Sequence, residues 1–129
     1  MALFGPDPAE IRATQPMVDW INQAPPGDLA VELIEAFTQT GPGTGGELTH
    51  HDLIRWMLRI SSSWTTYYSV KRPIVEAVQL LEHSELIVYT PLLGPSTSRS
   101  MWTITRFGLA KFADGKPAVR QHIRDRTGQ

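Results

Sequence analysis

The stretch from residue 70 to residue 113 constrains the fold of this chain more than any other. Over 70–83, Ile74, Val75, Val78 and Leu81 recur at helical spacing, with Lys71, Arg72, Glu76 and Gln79 on other faces. Ser69 reads as the cap of this helix, with Pro73 in its first turn. Residues 86–90, LIVYT, are rich in β-branched and aromatic side chains and stop at Pro91. PLLGPSTSRS follows, with two prolines and a glycine, and reads as a loop. Residues 101–104, MWTI, form a second short strand that pairs with the first as a hairpin. Thr105 then caps a helix over 106–113, with Phe107, Ala110 and Phe112 as its apolar members, and Gly115 stops it. The expected fold is mainly α with a small β-hairpin.

Upstream, the first 26 residues are broken by Pro6, Pro8, Pro16, Pro25 and Pro26. Pro8 opens a short helix over 9–13, and Pro16 opens another through Met17, Val18, Trp20 and Ile21. Both would cover the core or a partner subunit. A firmer helix runs from Asp28, its cap, to about residue 38. Leu29, Leu33 and Phe37 share its stripe, Val31 and Ile34 widen it, and Glu32 and Glu35 point away. The loop GPGTGG at 41–46 ends it. Thr49, with Asp52 three residues on, makes a capping box with Asp in place of the usual Glu. The helix it opens runs to about residue 60, with Leu53, Trp56, Met57 and Ile60 inward. His50, His51, Arg55 and Arg59 are expected outward. SSSWTTYY at 61–68 separates this helix from the next, because serine hydroxyls compete for backbone groups.

The 129 residues suffice for one core with terminal extensions. They divide into an N-terminal helical extension at 1–27, a central domain at 28–113 and a basic C-terminal helix or tail at 114–129. That last helix, over 117–126, is basic through Arg120, Arg124 and Arg126. Val119 and Ile123 give it a narrow apolar stripe. The stripe suits a second subunit, the basic flanks suit phosphates, and a frayed terminus is the third reading. There is no cysteine, so disulfides and thiolate metal sites are excluded and a reducing cytoplasm is compatible. The first fifteen residues lack a basic region followed by an apolar one, and no apolar run approaches the roughly 20 residues of a membrane span. The expectation is a cytoplasmic protein without a membrane partner.

Net charge is −1, but residues 1–54 hold eight acidic residues and one basic, whereas 55–129 hold eleven basic and five acidic. One reading is a polyanion-facing side opposed to an acidic side. The other is a folded chain that mixes its halves and averages the field.

From residue 28 the order is helix, helix, helix, strand, loop, strand, helix. Three phrases, L-T-H-H-D-L-I at 48–54, V-E-A-V-Q-L-L-E-H-S-E-L-I-V-Y at 75–89 and M-W-T-I-T-R-F-G-L-A-K at 101–111, carry a likeness to a known family. They resemble the bacterial winged helix-turn-helix repressors of the multiple-antibiotic-resistance and phenolic-acid-response types. The resemblance implies a winged helix with N- and C-terminal helical extensions, in which the second phrase holds the recognition helix and the third a wing strand. The chain departs from the pattern at Ser84, where the family usually has glycine, and at SSSWTTYY, which lengthens the turn.

That resemblance implies a transcriptional regulator that binds double-stranded DNA as a homodimer. The candidate contacts are Thr65, Thr66, Tyr67, Tyr68, Ser69, Lys71 and Arg72 at the start of the recognition helix, with Arg99 in the wing. Arg72 has the fork to grip a guanine, the hydroxyls and Lys71 suit phosphates, and Arg99 suits a minor groove. Past Arg72 the helix offers Glu76, Gln79 and Glu82, and glutamates repel phosphates. This feature supports the rival reading, a winged-helix adaptor or inhibitor that binds a protein partner through the loop around Trp64. A third reading is a small-molecule-responsive regulator with an aromatic pocket.

Enzymatic readings are poor. GPGTGG matches a dinucleotide fingerprint in spacing but follows a helix and lacks a βαβ unit. His50 and His51 diverge by about 100° on a helix, so they make no metal pair. His83 and His122 stand alone, and Ser61, Ser62 and Ser63 lack the setting of a nucleophile elbow. Trp20, Trp56, Trp64 and Trp102 read as core or interface residues. The expectation is a non-enzymatic protein with no cofactor and no metal.

Overall fold

The five helices expected from Pro8 to His83 are lengthened, fused or shifted into four in the computed structural model, which describes residues 8–40, 47–59, 66–90 and 101–129. Among the described residues the elements are α1 (Pro8–Gln23), α2 (Pro26–Thr40), α3 (His50–Leu58), α4 (Thr66–His83), β1 (Ile87–Tyr89), β2 (Trp102–Ile104), α5 (Arg106–Ala113) and α6 (Lys116–Thr127). The protein is thus mainly helical with one small antiparallel sheet.

The two short N-terminal helices are one helix, α1, with Pro16 inside it. An interior proline costs a helix about 3 kcal/mol. Here Thr14, Val18 and Ile21, at i, i+4 and i+7, are all buried on either side of Pro16 and offset that loss. α1 packs on α4 and α3. The next helix begins two residues before its expected cap. Pro26 takes the first position, and the Asp28 and Leu29 amides both donate to the Pro25 carbonyl at 3.0 and 3.2 Å. Asp28 lies within the first turn, and its carboxylate accepts from Arg120.

α2 is the centre of the core. Leu29, Ala30, Val31, Leu33, Ile34, Ala36 and Phe37 are buried around most of its circumference. Burying each large apolar side chain contributes about 1.5–3 kcal/mol. α4 and α6 lie against it. α3 starts at the expected capping box: the Asp52 amide donates to Thr49 Oγ1 at 3.1 Å, and the Thr49 amide to Asp52 Oδ2 at 3.0 Å. Leu53, Ile54, Met57 and Leu58 are its buried residues. Ile60 lies outside the described residues.

The hairpin pairs Ile87 with Ile104, Val88 with Thr103 and Tyr89 with Trp102. Thr90 extends it by donating to the Met101 carbonyl at 2.9 Å. One residue absent from the expected strands joins the sheet: Leu48 exchanges two backbone hydrogen bonds with Trp102, at 2.8 and 2.9 Å. The start of α3 is thereby tied to β2.

α4 reaches β1 through a tight reversal. The Glu85 amide donates to the Glu82 carbonyl and the Leu86 amide to that of Leu81. Glu85 takes the left-handed conformation, φ 63°, that glycine usually fills in this cap. Thr105 caps α5 as expected, its hydroxyl accepting from the Gly108 amide at 2.8 Å. The expected apolar face of α5 is corrected, however. Phe107 and Ala110 are exposed and Phe112 is half-buried, whereas Gly108 is the residue turned inward. A Cβ at Gly108 would stand 2.1 Å from the Leu86 carbonyl oxygen, so only glycine lets α5 close on the hairpin.

Candidate nucleic-acid interface

α4 begins at Thr66, so the segment read as a spacer partly joins the helix. Ser69 is inside the helix instead of capping it, and Pro73 is well past the first turn. Pro73 withholds a donor only from the Ser69 carbonyl. Val70, Ile74, Ala77, Val78 and Leu81 form a buried stripe that runs past it and packs the helix on α2, α1 and α3.

Of the candidate contacts, Thr65 and Arg99 lie outside the described residues. Trp64 and the GPGTGG loop do so too. Thr66, Tyr67 and Tyr68 fall in the first turn of α4. Ser69, Lys71 and Arg72 are exposed on the helix surface. Arg72, Glu76, Gln79 and His83 follow one another at i, i+4, i+7 and i+11 and are all exposed, so they share one outward face. Among the described residues Arg72 makes no ion pair. A groove of about 480 Å³ beside it is lined by Ile21, Asn22, Leu29, Ser69, Arg72 and Glu76.

Lys71 lies on the flank of α4 nearer α3, where its charge acts on His50. His50 is not the outward residue expected. It is half-buried, with its ring centroid 4.5 Å from that of Trp102, and Tyr89 flanks the same indole at 5.3 Å. Burial, then the Lys71 charge, lowers the His50 pKa from its ordinary value, and Glu82 opposes them. The Trp102 Nε1 is buried and without a hydrogen-bond partner among the described residues. Sequence reasoning missed this cluster. Its only local signals were the capping box, which fixes His50 at the first helical position, and an aromatic residue in each strand.

The C-terminal helix is corrected as well. Val119 and Ile123 are fully buried within the chain's own core, so the stripe that suits a second subunit is already covered. Three of its four basic residues, all but Arg124, are engaged by the chain's own carboxylates. Lys116 Nζ meets Glu32 at 2.7 Å and Glu35 at 3.5 Å, Arg120 meets Asp28 at 2.8 Å, and Arg126 meets Glu85 at 2.9 Å. The hydrogen bond from Lys116 to Glu32 leads in raising the lysine pKa. Of the two readings of the charge asymmetry, mixing therefore operates where α6 meets α2.

His122 Nε2 lies 2.9 Å from the Ser84 carbonyl and its ring meets Phe107 edge-on, and His83 is exposed. Among the described residues no group of three or more His, Asp or Glu side chains could hold a metal ion. Nor is any helix among them long and apolar enough to cross a membrane. Compared with known proteins, the chain matches no protein-family model, and neither a curated protein nor a solved structure matches it.

Proposed function

We propose that the protein is a non-enzymatic winged-helix regulator that binds duplex DNA as a dimer, with α4 as its recognition helix. The observation that supports this reading best is the element order. α2, the Leu48 bridge, α3, α4 and the β1–β2 hairpin follow in sequence, with exposed Lys71 and Arg72 near the start of α4. A helix presented outward from such a frame fits the major groove, and residues of its N-terminal half reach base edges. Arg72 is the base reader in this proposal, and Ser69 and Lys71 hold phosphates. Thr65, Thr66, Tyr67, Tyr68 and Arg99 complete the contact set on the strength of the sequence. The dimer follows from the family resemblance, since two-fold repressors meet half-sites about one helical turn apart.

The test is fluorescence anisotropy of a labelled duplex. About four phosphate contacts in a dimer should weaken binding roughly a hundredfold between about 50 and 200 mM salt. No binding at the lower salt would overturn the reading. A second reading, a protein-binding module, is favoured by one observation: Glu76 stands between Arg72 and Gln79 on the exposed face of α4, where a polyanion would be repelled.

A further inference from the structure

A second groove lies between α1, α2 and α3, away from the outer face of α4. Met17 and Trp20 come to it from α1, Glu32 and Glu35 from α2, and Trp56 and Arg59 from the end of α3. Its volume, about 410 Å³, suits a small organic ligand. Met17 and Trp20 are exposed at 37% and 39%, three residues apart on α1, so two large apolar side chains border the opening.

Two features state what chemistry the groove accepts. The Arg59 guanidinium lies 5.3 Å from the centroid of the Trp56 ring, so this indole already carries a planar cation supplied by the chain itself. Arg59 holds that position from a left-handed backbone, φ 57°, which side chains other than glycine rarely adopt. Second, Glu32 and Glu35 share a single ammonium, Lys116. Two carboxylates against one ammonium leave one carboxylate charge that, within this groove, only the Arg59 guanidinium balances.

We propose that this groove binds a small aromatic organic cation, its ring against Trp20 and Trp56 and its charge beside Glu35, in place of the Arg59 guanidinium. An apolar ring gains burial and the two indole faces, and a fixed positive charge that displaces the guanidinium gains the ring quadrupoles and the carboxylate that Arg59 otherwise balances. A neutral ring of the same shape gains only the first, and an anion that displaces the guanidinium meets the Glu32 and Glu35 carboxylates. The site is separate from the exposed face of α4, because none of its described lining residues belongs to that helix.

The test is isothermal titration of the whole chain with three probes in mildly alkaline buffer: 1-methylquinolinium, neutral quinoline and the 2-naphthoate anion. The cation should bind one to one, quinoline about tenfold more weakly, and naphthoate not at all. Trp20→Ala and Glu35→Gln should each weaken the cation by between about threefold and thirtyfold. Trp20 is exposed, so its variant should keep the thermal unfolding profile of the parent. Arg59→Ala should bind the cation more tightly, because the competing guanidinium is gone, which a merely structural role for Arg59 would not produce. No saturable binding of the cation, equal binding of quinoline, or unchanged affinity in both Trp20→Ala and Glu35→Gln would each overturn the proposal.

Discussion

α4 and α6 are both amphipathic helices with basic residues, and the chain uses those residues in opposite ways. In α6, Lys116, Arg120 and Arg126 are held by carboxylates of the same molecule, two of them by α2, and only Arg124 is exposed without an ion pair among the described residues. Arg120 even lies over Gly27, where a Cβ would stand 2.6 Å from the guanidinium carbon. In α4, Arg72 is exposed and makes no ion pair among the described residues, and Lys71 faces a histidine. The difference teaches how to count charge. Basic residues folded against acidic ones contribute little to an outward field, whereas an unpaired arginine contributes fully. The excess of positive charge after residue 54 is therefore a poor guide, and Arg72 is a better one.

The largest test of this comparison concerns α6. If it belongs to the core, Ile123→Ala should destabilise the protein by about 2–5 kcal/mol, because a fully buried side chain leaves a cavity. Urea unfolding measures this. A change within about 0.5 kcal/mol, the level of a surface substitution, would return α6 to the status of a tail.

The next test sets one arginine against another. Arg72→Ala should weaken duplex binding by about 1–3 kcal/mol and relax sequence preference at one base pair, with little change in stability. Arg120→Ala should do the reverse. It removes a partly exposed pair with Asp28 and a bond to the Gln129 carbonyl, so it should cost about 1 kcal/mol of stability and leave DNA affinity intact. Anisotropy and urea unfolding on both variants separate the roles. Equal loss of DNA affinity in the two would erase the distinction between the helices.

What could be read from the sequence depended on how local its cause was. The Thr49–Asp52 box, the Thr105 cap and the pairing of LIVYT with MWTI rest on neighbours within a few residues or on one hairpin, and all three are present. The buried stripe of α2 was legible for the same reason. Other features are set by distant partners. Pro16 reads as a break until Thr14 and Ile21 are seen buried around it. Phe107 reads as core until Gly108 is seen to bring α5 onto the Leu86 carbonyl, which turns the ring outward. Leu48 has no strand pattern and pairs only because Trp102 is beside it. For the candidate interface, Lys71 and Arg72 were legible as exposed cations. The His50 and Trp102 contact, 52 residues apart in sequence, was not.

The ends of the two helices offer a smaller test. α6 stops at Gly128 with φ 79°, whereas α4 stops with Glu85 at φ 63°. Glu85→Gly relieves a conformation that costs an L-residue about 1–2 kcal/mol, loses an exposed pair with Arg126 and adds freedom to the unfolded chain. The expected outcome is a net gain of up to about 1 kcal/mol in urea unfolding. A net loss would mean that the Arg126 pair, which joins the end of α4 to α6, and the added freedom of the unfolded chain together outweigh the relief at residue 85.

The smallest expected effect is a pH dependence on the α4 side. Burial and Lys71 hold the folded His50 pKa below 6.5, so between that lowered value and 6.5 the unfolded chain binds more protons than the folded one. Stability from this residue is thus present at neutral pH and declines as pH falls through 6.5, with no further loss below the folded value. His50→Phe keeps an aromatic ring for Trp102 but cannot titrate. Urea midpoints at pH about 7.5 and about 5 should fall further for the wild type than for His50→Phe. The opposite ranking would mean that Glu82, the one charge that favours protonation here, outweighs both burial and Lys71.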